Sequence, residues 1–389
     1  MAAVVARQRP VRARGHDRRQ IVLAIVVLVL GALGAWYADA NLNGYRQQLF
    51  ILCAIYAVVA VALALTSGFT GVFSLGQIGF LAIGAYVSAL LSMPPAGKQP
   101  MLLPGLPEWL ATFDSSGWHP QAALLFASLV GGLAAALIGA LVGAPLMRLS
   151  GNYVAVATMG FLIIVHSVAV NWDDVTRGAR GLSQIPTSTN PWAAYVWAAI
   201  AVYVALRLRN SPYGRAMIAS RENIIASRSV GVNVLRTRLL AFVVSAFLTG
   251  VAGSLLAHQI GTVAPSGFYF ATTFTVVIMV VLGGMGSISG AVVGAIIMTL
   301  TPELLRPIED GVSLGPLEFG ALYGLSNIII AIGFILVMIF RPQGLLGDRE
   351  LGLALLGRRT PQQDASGEDI AITPELASAA DAANPDSRG

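Results

Sequence analysis

The sequence predicts an all-α, polytopic membrane protein with about 8–10 transmembrane helices. Three observations predict it. The 389-residue chain is 56% hydrophobic and only 11% charged, less than half of the roughly 25% usual in a soluble domain. Its apolar residues gather in runs close to the ~20 residues that a bilayer core requires. Its arginines border those runs on alternate sides instead of forming one stripe. The 42 glycines suit helices that must pack closely where no hydrophobic effect drives them together.

The chain opens with a basic segment, residues 1–20, holding Arg7, Arg9, Arg12, Arg14, Arg18 and Arg19. An apolar run over 21–37 follows. Arg18-Arg19 resembles a twin-arginine start and Ala38-Asp39-Ala40 a cleavage site, but the length of the run and the many later spans favour a retained first helix. The remaining apolar runs are 47–66, 70–93, 121–147, 153–171, 192–208, 238–260, 271–285, 289–304 and 322–340, which gives ten helices if all cross. The pair 271–285 and 289–304 is short and Gly-interrupted, so one member is expected to be a half-span or re-entrant. The transmembrane domain thus runs over 21–347. Residues 348–389 turn polar and Ala/Pro/Asp-rich, as a disordered tail does.

Charge fixes an expected orientation. With the N-terminus inside, 19 of the 24 basic residues fall on the inner segments, a bias that places both termini and the 211–238 loop in the cytoplasm. That loop carries Arg215, Arg221, Glu222, Arg228, Arg236 and Arg238. Pro212 can open a helix, 216–219 continue it and Gly231 stops it, so the stretch reads as a short helix-turn-helix. It is read either as a solvated connector or as a coupling element, since so long a charged loop is costly to order unless something docks on it. On the outer side, 94–120 offers Trp109 and Trp118 to the interface, and 172–191 holds Asp173, Asp174, Arg177 and Arg180.

Several chemistries are missing. The only lysine, Lys98, sits in Pro-Pro-Ala-Gly-Lys-Gln, which is no phosphate-binding loop, so any ATP hydrolysis must come from another chain. The four histidines show no metal-ligand spacing, and no Ser/His/acid nucleophile motif is present. Cys53 is the single cysteine and allows no intramolecular disulfide. The expectation is a protein with no catalytic residues, no metal and no nucleic-acid partner. His166, Asn171, Ser245, His258, Gln259 and Asn327, in or at the ends of apolar runs, are expected to bond between helices rather than to touch substrate.

One apolar stretch is unusually polar. Residues 66–91 carry Gly68, Gly71, Gly76, Gly79 and Gly84 with Ser67, Ser74 and Gln77, which suits a broken or re-entrant start followed by tight packing. It is either a Gly-mediated helix contact or an element lining a pathway, with Ser74 and Gln77 as candidate lining residues. Residues 281–300 are also Gly-rich and follow an apolar span, compatible with a duplication.

Four strings in fixed order over residues 45–347 resemble the permease subunits of branched-chain amino acid ABC transporters of the LivM type. The first runs from Ser74-Leu75-Gly76-Gln77 to Gly84-Ala85-Tyr86, with Gln77 where the family usually has His, which removes a titratable group. The second runs from Asn152-Tyr153 through Thr158-Met159-Gly160 to Thr176-Arg177-Gly178, Gly181-Leu182 and Pro186, and Thr158 joins the candidate pathway-lining residues. The third is the loop itself: Gly214-Arg215-Ala216, Arg221-Glu222-Asn223, Ala226 and Gly231, which departs from the wider Glu-Ala-Ala pattern at Ile225-Ala226-Ser227. The fourth spans Pro265, Val281-Leu282-Gly283-Gly284-Met285-Gly286-Ser287, Gly290 and Gly294, and ends with Tyr323-Gly324 and Arg341-Pro342-Gln343-Gly344-Leu345.

The resemblance implies an ABC importer permease fold in a bacterial inner membrane, with a second permease subunit, two cytoplasmic ATPases that bind ATP and Mg, and an external substrate-binding protein. It implies that Gly214, Arg215, Ala216, Arg221, Glu222, Asn223, Ala226 and Gly231 form the ATPase coupling loop, with Arg215 and Arg221 making charged contacts and Gly231 the turn. The implied cargo is branched-chain or related amino acids; urea, amides and aromatic acids are alternatives. A secondary transporter or channel would need titratable residues at membrane depth, and the spans hold almost none. A non-transporting scaffold or receptor would leave the polar, Gly-broken segments idle.

Overall fold

The computed structural model describes residues 31–98, 105–115, 117–149, 151–309, 313–314, 317–318 and 324–347. The basic N-terminal segment, most of the first apolar run and the 348–389 tail lie outside the described residues, and only the helical stretch 31–41 of that first region is described. The principal helices are α1 (Gly44–Leu63), α2 (Gln77–Ser92), α3 (Pro120–Leu146), α4 (Tyr153–Asn171), α5 (Pro191–Asn210), α6 (Pro212–Glu222), α7 (Ile224–Ser229), α8 (Val234–Ile260), α9 (Phe270–Gly283), α10 (Ile288–Glu309) and α11 (Leu325–Phe340). The described β-structure is a two-residue hairpin, in which Ser313–Leu314 pairs antiparallel with Leu317–Glu318, and one isolated bridge.

Among the described residues seven helical segments are long and apolar enough to cross a membrane, and α2 and α11 are shorter apolar helices. The chain is a multi-pass membrane protein. The half-span expected in the 271–304 pair is not found: α10 is 22 residues, and α9, itself 14, is lengthened by a 3₁₀ turn at Pro265–Gly267 into a 19-residue segment, so both are long enough to cross. The run expected over 70–93 is also shortened, because residues 71–76 are non-helical and α2 begins at Gln77.

Two helices form the centre. In the apolar windows of α8 and α1, 72% and 67% of residues are buried, against 28% for α4 and α5, which keep apolar faces such as Val156, Ile164 and Tyr203 outward. A helix apolar on all sides is a central one, and an outward apolar face in a membrane meets lipid. Around α8, packing is set by glycine. A Cβ on Gly84 of α2 would lie 2.0 Å from the Gly250 carbonyl oxygen, one on Gly253 would lie 2.0 Å from the Leu81 oxygen, and one on Gly131 of α3 would lie 2.8 Å from the Gly84 oxygen. Three helix backbones therefore touch where side chains are absent, which is how helices associate when burial from water offers no drive. Phe80, with Phe161 at 4.8 Å and Phe242 at 5.3 Å between ring centroids, fills the gap beside this contact among α2, α4 and α8.

The end opposite the arginine-rich loop is laced by backbone. Leu182 and Val263 exchange two N–H···O bonds of 2.8 Å, joining the segment after α4 to the segment after α8. Lys98 is buried and donates from Nζ to the Leu110 and Phe113 carbonyls at 2.7 and 3.1 Å. The lone lysine thus pins the 94–119 loop by satisfying the open end of the short helix Glu108–Thr112; burial pulls its ammonium below the usual lysine range, with Asp114 opposing. At the end of α10, Glu309 accepts from the Ser326 N–H at 2.7 Å and its hydroxyl at 2.8 Å, tying α10 to α11.

Two predictions follow from this packing. Replacing Gly84 by Val puts carbon onto the Gly250 carbonyl and is expected to destabilise the bundle by about 3 kcal/mol or more, read as a Tm drop in detergent against a control change at lipid-facing Leu137→Val. The Ser326 donors hold the Glu309 carboxyl below the usual carboxylate range, so its contribution is present at neutral pH and is lost as pH falls through the lowered folded value. Acidification is therefore expected to lower the protection factor of the Ser326 amide, its exchange relative to the intrinsic rate at each pH, in the wild type, and Glu309→Ala is expected to show the low protection already at pH 7.

Candidate functional site

The site is assembled at the end of the bundle that carries the arginine-rich loop. Its first part is the elbow, residues 211–233, built by three side-chain caps in succession. Ser211 Oγ accepts from Gly214 N–H at 3.2 Å, Asn223 Oδ1 from Ala226 N–H at 3.0 Å, and Asn233 Oδ1 from Arg236 N–H at 3.1 Å. Each cap starts a helix: α6, α7 and α8. The expected helix-turn-helix is present, with its break at Asn223 and its reversal at Gly231, whose φ of +85° is left-handed. Arg236 and Arg238, expected in the loop, already belong to α8.

The elbow's candidate residues divide into two groups. Gly214 is buried against the end of α5, where a Cβ would meet the Leu208 oxygen at 2.1 Å, and Arg215 Nη1 donates to the Asn210 carbonyl at 3.1 Å. These two, with half-buried Ala216, fix the α5–α6 corner. Arg221 is turned toward the membrane domain. Its Nη1 donates to the Gly68 carbonyl at 2.7 Å, while its Nε and Nη2 grip Glu222 Oε1 at 3.0 and 2.7 Å. Beyond them the tip is bare: Ala226 is exposed and the side chains of Ile225 and Val230 stand out on either side of it, each 79% exposed.

The second part is the break between α1 and α2. The last turn of α1 widens to a π-helix over Ala64–Gly68, and after Thr70 the chain is non-helical until Gln77. Backbone N–H groups inside a membrane must be satisfied by protein, and here hydroxyls do it. Val72 N–H donates to Thr70 Oγ1, Ser74 N–H to Ser67 Oγ at 3.3 Å, and Leu75 N–H to Thr158 Oγ1 on α4 at 3.0 Å. Gln77 opens α2 and sends its amide NH₂ to Ser245 Oγ at 2.6 Å and to Thr249 Oγ1, while Ser245 Oγ donates to the Ala62 carbonyl at 2.6 Å. Thr158 and Gln77 are thus engaged in holding the break, and Ser74 Oγ and Gln77 Oε1 are buried without a hydrogen-bond partner.

The third part was quoted in the sequence without a role. After α11, residues 341–347 fold back onto the α9–α10 turn: Leu345 N–H donates to the Leu282 carbonyl at 2.8 Å and Leu346 N–H to that of Gly283 at 3.1 Å. The Arg341-Pro342-Gln343-Gly344-Leu345 string is a hook that satisfies the open carbonyls at the end of α9. The turn it covers, around Met285, lies against Gly68, where a Cβ would fall 1.8 Å from the Met285 oxygen. The two Gly-rich stretches noted in the sequence therefore meet at one point. Arg209, at the end of α5, lies 5.7 Å over the Phe69 ring beside it.

The polar residues of the spans behave unequally. Ser245 bonds between helices as expected, but His258 Nδ1 pairs with the Ser254 carbonyl, and Asn171 Nδ2 donates to the Ser167 carbonyl, each within its own helix. A helix offers its own i−4 carbonyl to any side chain that can fold back, and no pattern in sequence separates this from a partner on another helix. Among the described residues no group of three metal-ligating side chains occurs.

A family model described as branched-chain amino acid transport system / permease component matches residues 45–337. The chain belongs to this family. Its permease relatives include the high-affinity branched-chain amino acid transport system permease protein LivM of Escherichia coli, 33% identical over 85% of this chain and 76% of the relative. The LivH permease of the same organism is 25% identical over 79% of this chain and 97% of the relative, and a probable LivM of Methanocaldococcus jannaschii is 21% identical over 78% and 94%. No solved structure matches. The permease match begins at α1 and ends within α11, so it takes in the elbow, both Gly-rich breaks and the three helices of the glycine contact.

The caps give this permease's elbow a direct test. Asn223→Ala is expected to leave the bundle folded and to cost α7 about 1 kcal/mol, seen as hydrogen exchange several-fold faster at the 226–229 amides with unchanged protection in α8.

Proposed function

We propose that this permease subunit carries branched-chain or related amino acids through an inner membrane, within an importer driven by ATP hydrolysis on separate subunits. The observation that carries the reading is the bare tip of the elbow. Ile225 and Val230, with Tyr213 at 59% exposure, project from a short capped helical pair at the arginine-rich end of the bundle. By the charge bias this end is cytoplasmic, where water surrounds the tip. Contiguous large apolar side chains in water mark a surface that a partner covers. The partner that fits is a nucleotide-binding subunit, because this chain's only lysine is buried in an outer loop and no phosphate-binding motif is available to it.

In this reading ATP and Mg bind to two such subunits, a second permease completes the pathway, and an external binding protein delivers the cargo. Nucleotide binding moves the elbow and shifts the population between outward- and inward-open states; the ATPases must bind the two states with different affinity to do so. Exposed Arg228 and Arg236 flank the tip and supply the charged contacts. Gly231 permits the reversal that returns the chain to α8. Ser74, beside the break, is the candidate pathway residue whose hydroxyl is left for water or cargo.

The test is co-purification from membranes holding the ATPases, with uptake measured in parallel. Ile225→Asp combined with Val230→Asp is expected to leave membrane levels unchanged, to lose the ATPase subunits from the purified complex and to abolish uptake. Full ATPase recovery and normal uptake in that variant would overturn the reading. Competition by leucine, urea or aromatic acids for binding-protein-dependent uptake in the wild type identifies the cargo.

A further inference from the structure

The bond between Arg221 and the Gly68 carbonyl joins residues 153 apart in sequence and is the point where the elbow holds the membrane domain from within. The surrounding geometry leaves it no slack. Arg221 Cγ lies 2.7 Å from where a Cβ on Gly71 would stand, and Gly71 has a φ of +68°, so the non-helical segment passes directly against the arginine side chain. Glu222 holds the opposite edge of the guanidinium through two bonds, which fixes the plane of the fork. Gly68 in turn rests its backbone on Met285, in the turn that the 341–347 hook covers.

We propose that Arg221 is a positioning residue that passes movement of the elbow to the glycine break: a strut running from α6 through Gly68 to the α9–α10 turn. The proposal rests on the reading of 211–233 as the element that the ATPases move. Packed apolar surfaces transmit a push, but they separate under a pull. A charge-assisted hydrogen bond of 2.7 Å resists separation as well as compression, so Arg221 lets the elbow drive the break in both directions of the cycle. Gly68 is suited to receive it. The π-turn ends there, so its carbonyl is free of the helix ladder, and the missing side chain lets the backbone bear on Met285 without an intervening soft group. Arginine is required because one planar group must serve Glu222 and the carbonyl together.

The experiment uses the full complex reconstituted in lipid vesicles and reads cargo moved per ATP hydrolysed. Arg221→Met leaves the Ile225 and Val230 tip intact, so the ATPases are expected to co-purify and to hydrolyse ATP, while the ratio of uptake to hydrolysis falls about tenfold or more. Arg221→Gln, which can donate one neutral hydrogen bond, is expected to fall between Met and wild type, and it carries the test should Met fail to fold. A wild-type ratio in the variants, or uptake and hydrolysis falling in parallel, would overturn the strut. Either result with ATPases still bound leaves the docking role of the elbow standing; full ATPase recovery and normal uptake in the Ile225→Asp/Val230→Asp variant is what removes that role instead.

Discussion

The backbone contact of Gly84 with Gly250, and of Gly253 with Leu81, is the interaction on which the bundle depends. Inside a membrane, apolar side chains gain little by leaving lipid for protein, so helices are held by close approach and by hydrogen bonds. Here three helices supply glycine at one crossing, and α2, α3 and α8 come together around it. Once α8 is held there, its Ser245 and Thr249 face Gln77, and α2 can start at a buried position because the first turn has a partner for its polar side chain.

That same constraint explains the breaks. A chain that leaves helical geometry in a membrane must find partners for its N–H and C=O groups. Thr70, Ser67 and Thr158 give acceptors to the 71–76 segment, and residues 345–346 give donors to the end of α9. Both irregular regions are therefore covered by protein, and both lie at the end that carries the elbow. The fold concentrates its irregular backbone at the end that carries the elbow, and leaves the opposite end laced by the Leu182–Val263 pairing and the Lys98 anchor.

Much of this was legible in the sequence. Most runs of apolar residues mark helices whose ends lie near those observed, because their lengths are set by bilayer thickness and their ends by Pro, Gly and Asn; the run over 70–93 does not, since α2 begins only at Gln77. Pro212 and Gly231 marked the elbow, and the ordered motif strings marked the permease family over the region matched. Other parts were not legible. Thr158 stood out as a residue that could line a pathway, yet its hydroxyl serves Leu75 across 83 positions. Arg221 looked like a charge aimed at a partner, and its guanidinium is instead bonded to Gly68. The string at 341–345 carried a resemblance but no role until its N–H groups were seen on α9.

By itself, the sequence determined the class of solvent, the order of the helices and the charge asymmetry of the two ends. These depend on local composition and on spacing along the chain. Tertiary structure alone decided which glycines meet, which hydroxyls satisfy a broken backbone, and that the elbow is bonded to the end of α1. Leu75 with Thr158, Gly68 with Arg221 and Ala62 with Ser245 are pairings 83 to 183 positions apart, and a hydrogen-bond donor carries no mark in sequence of which distant carbonyl it will find.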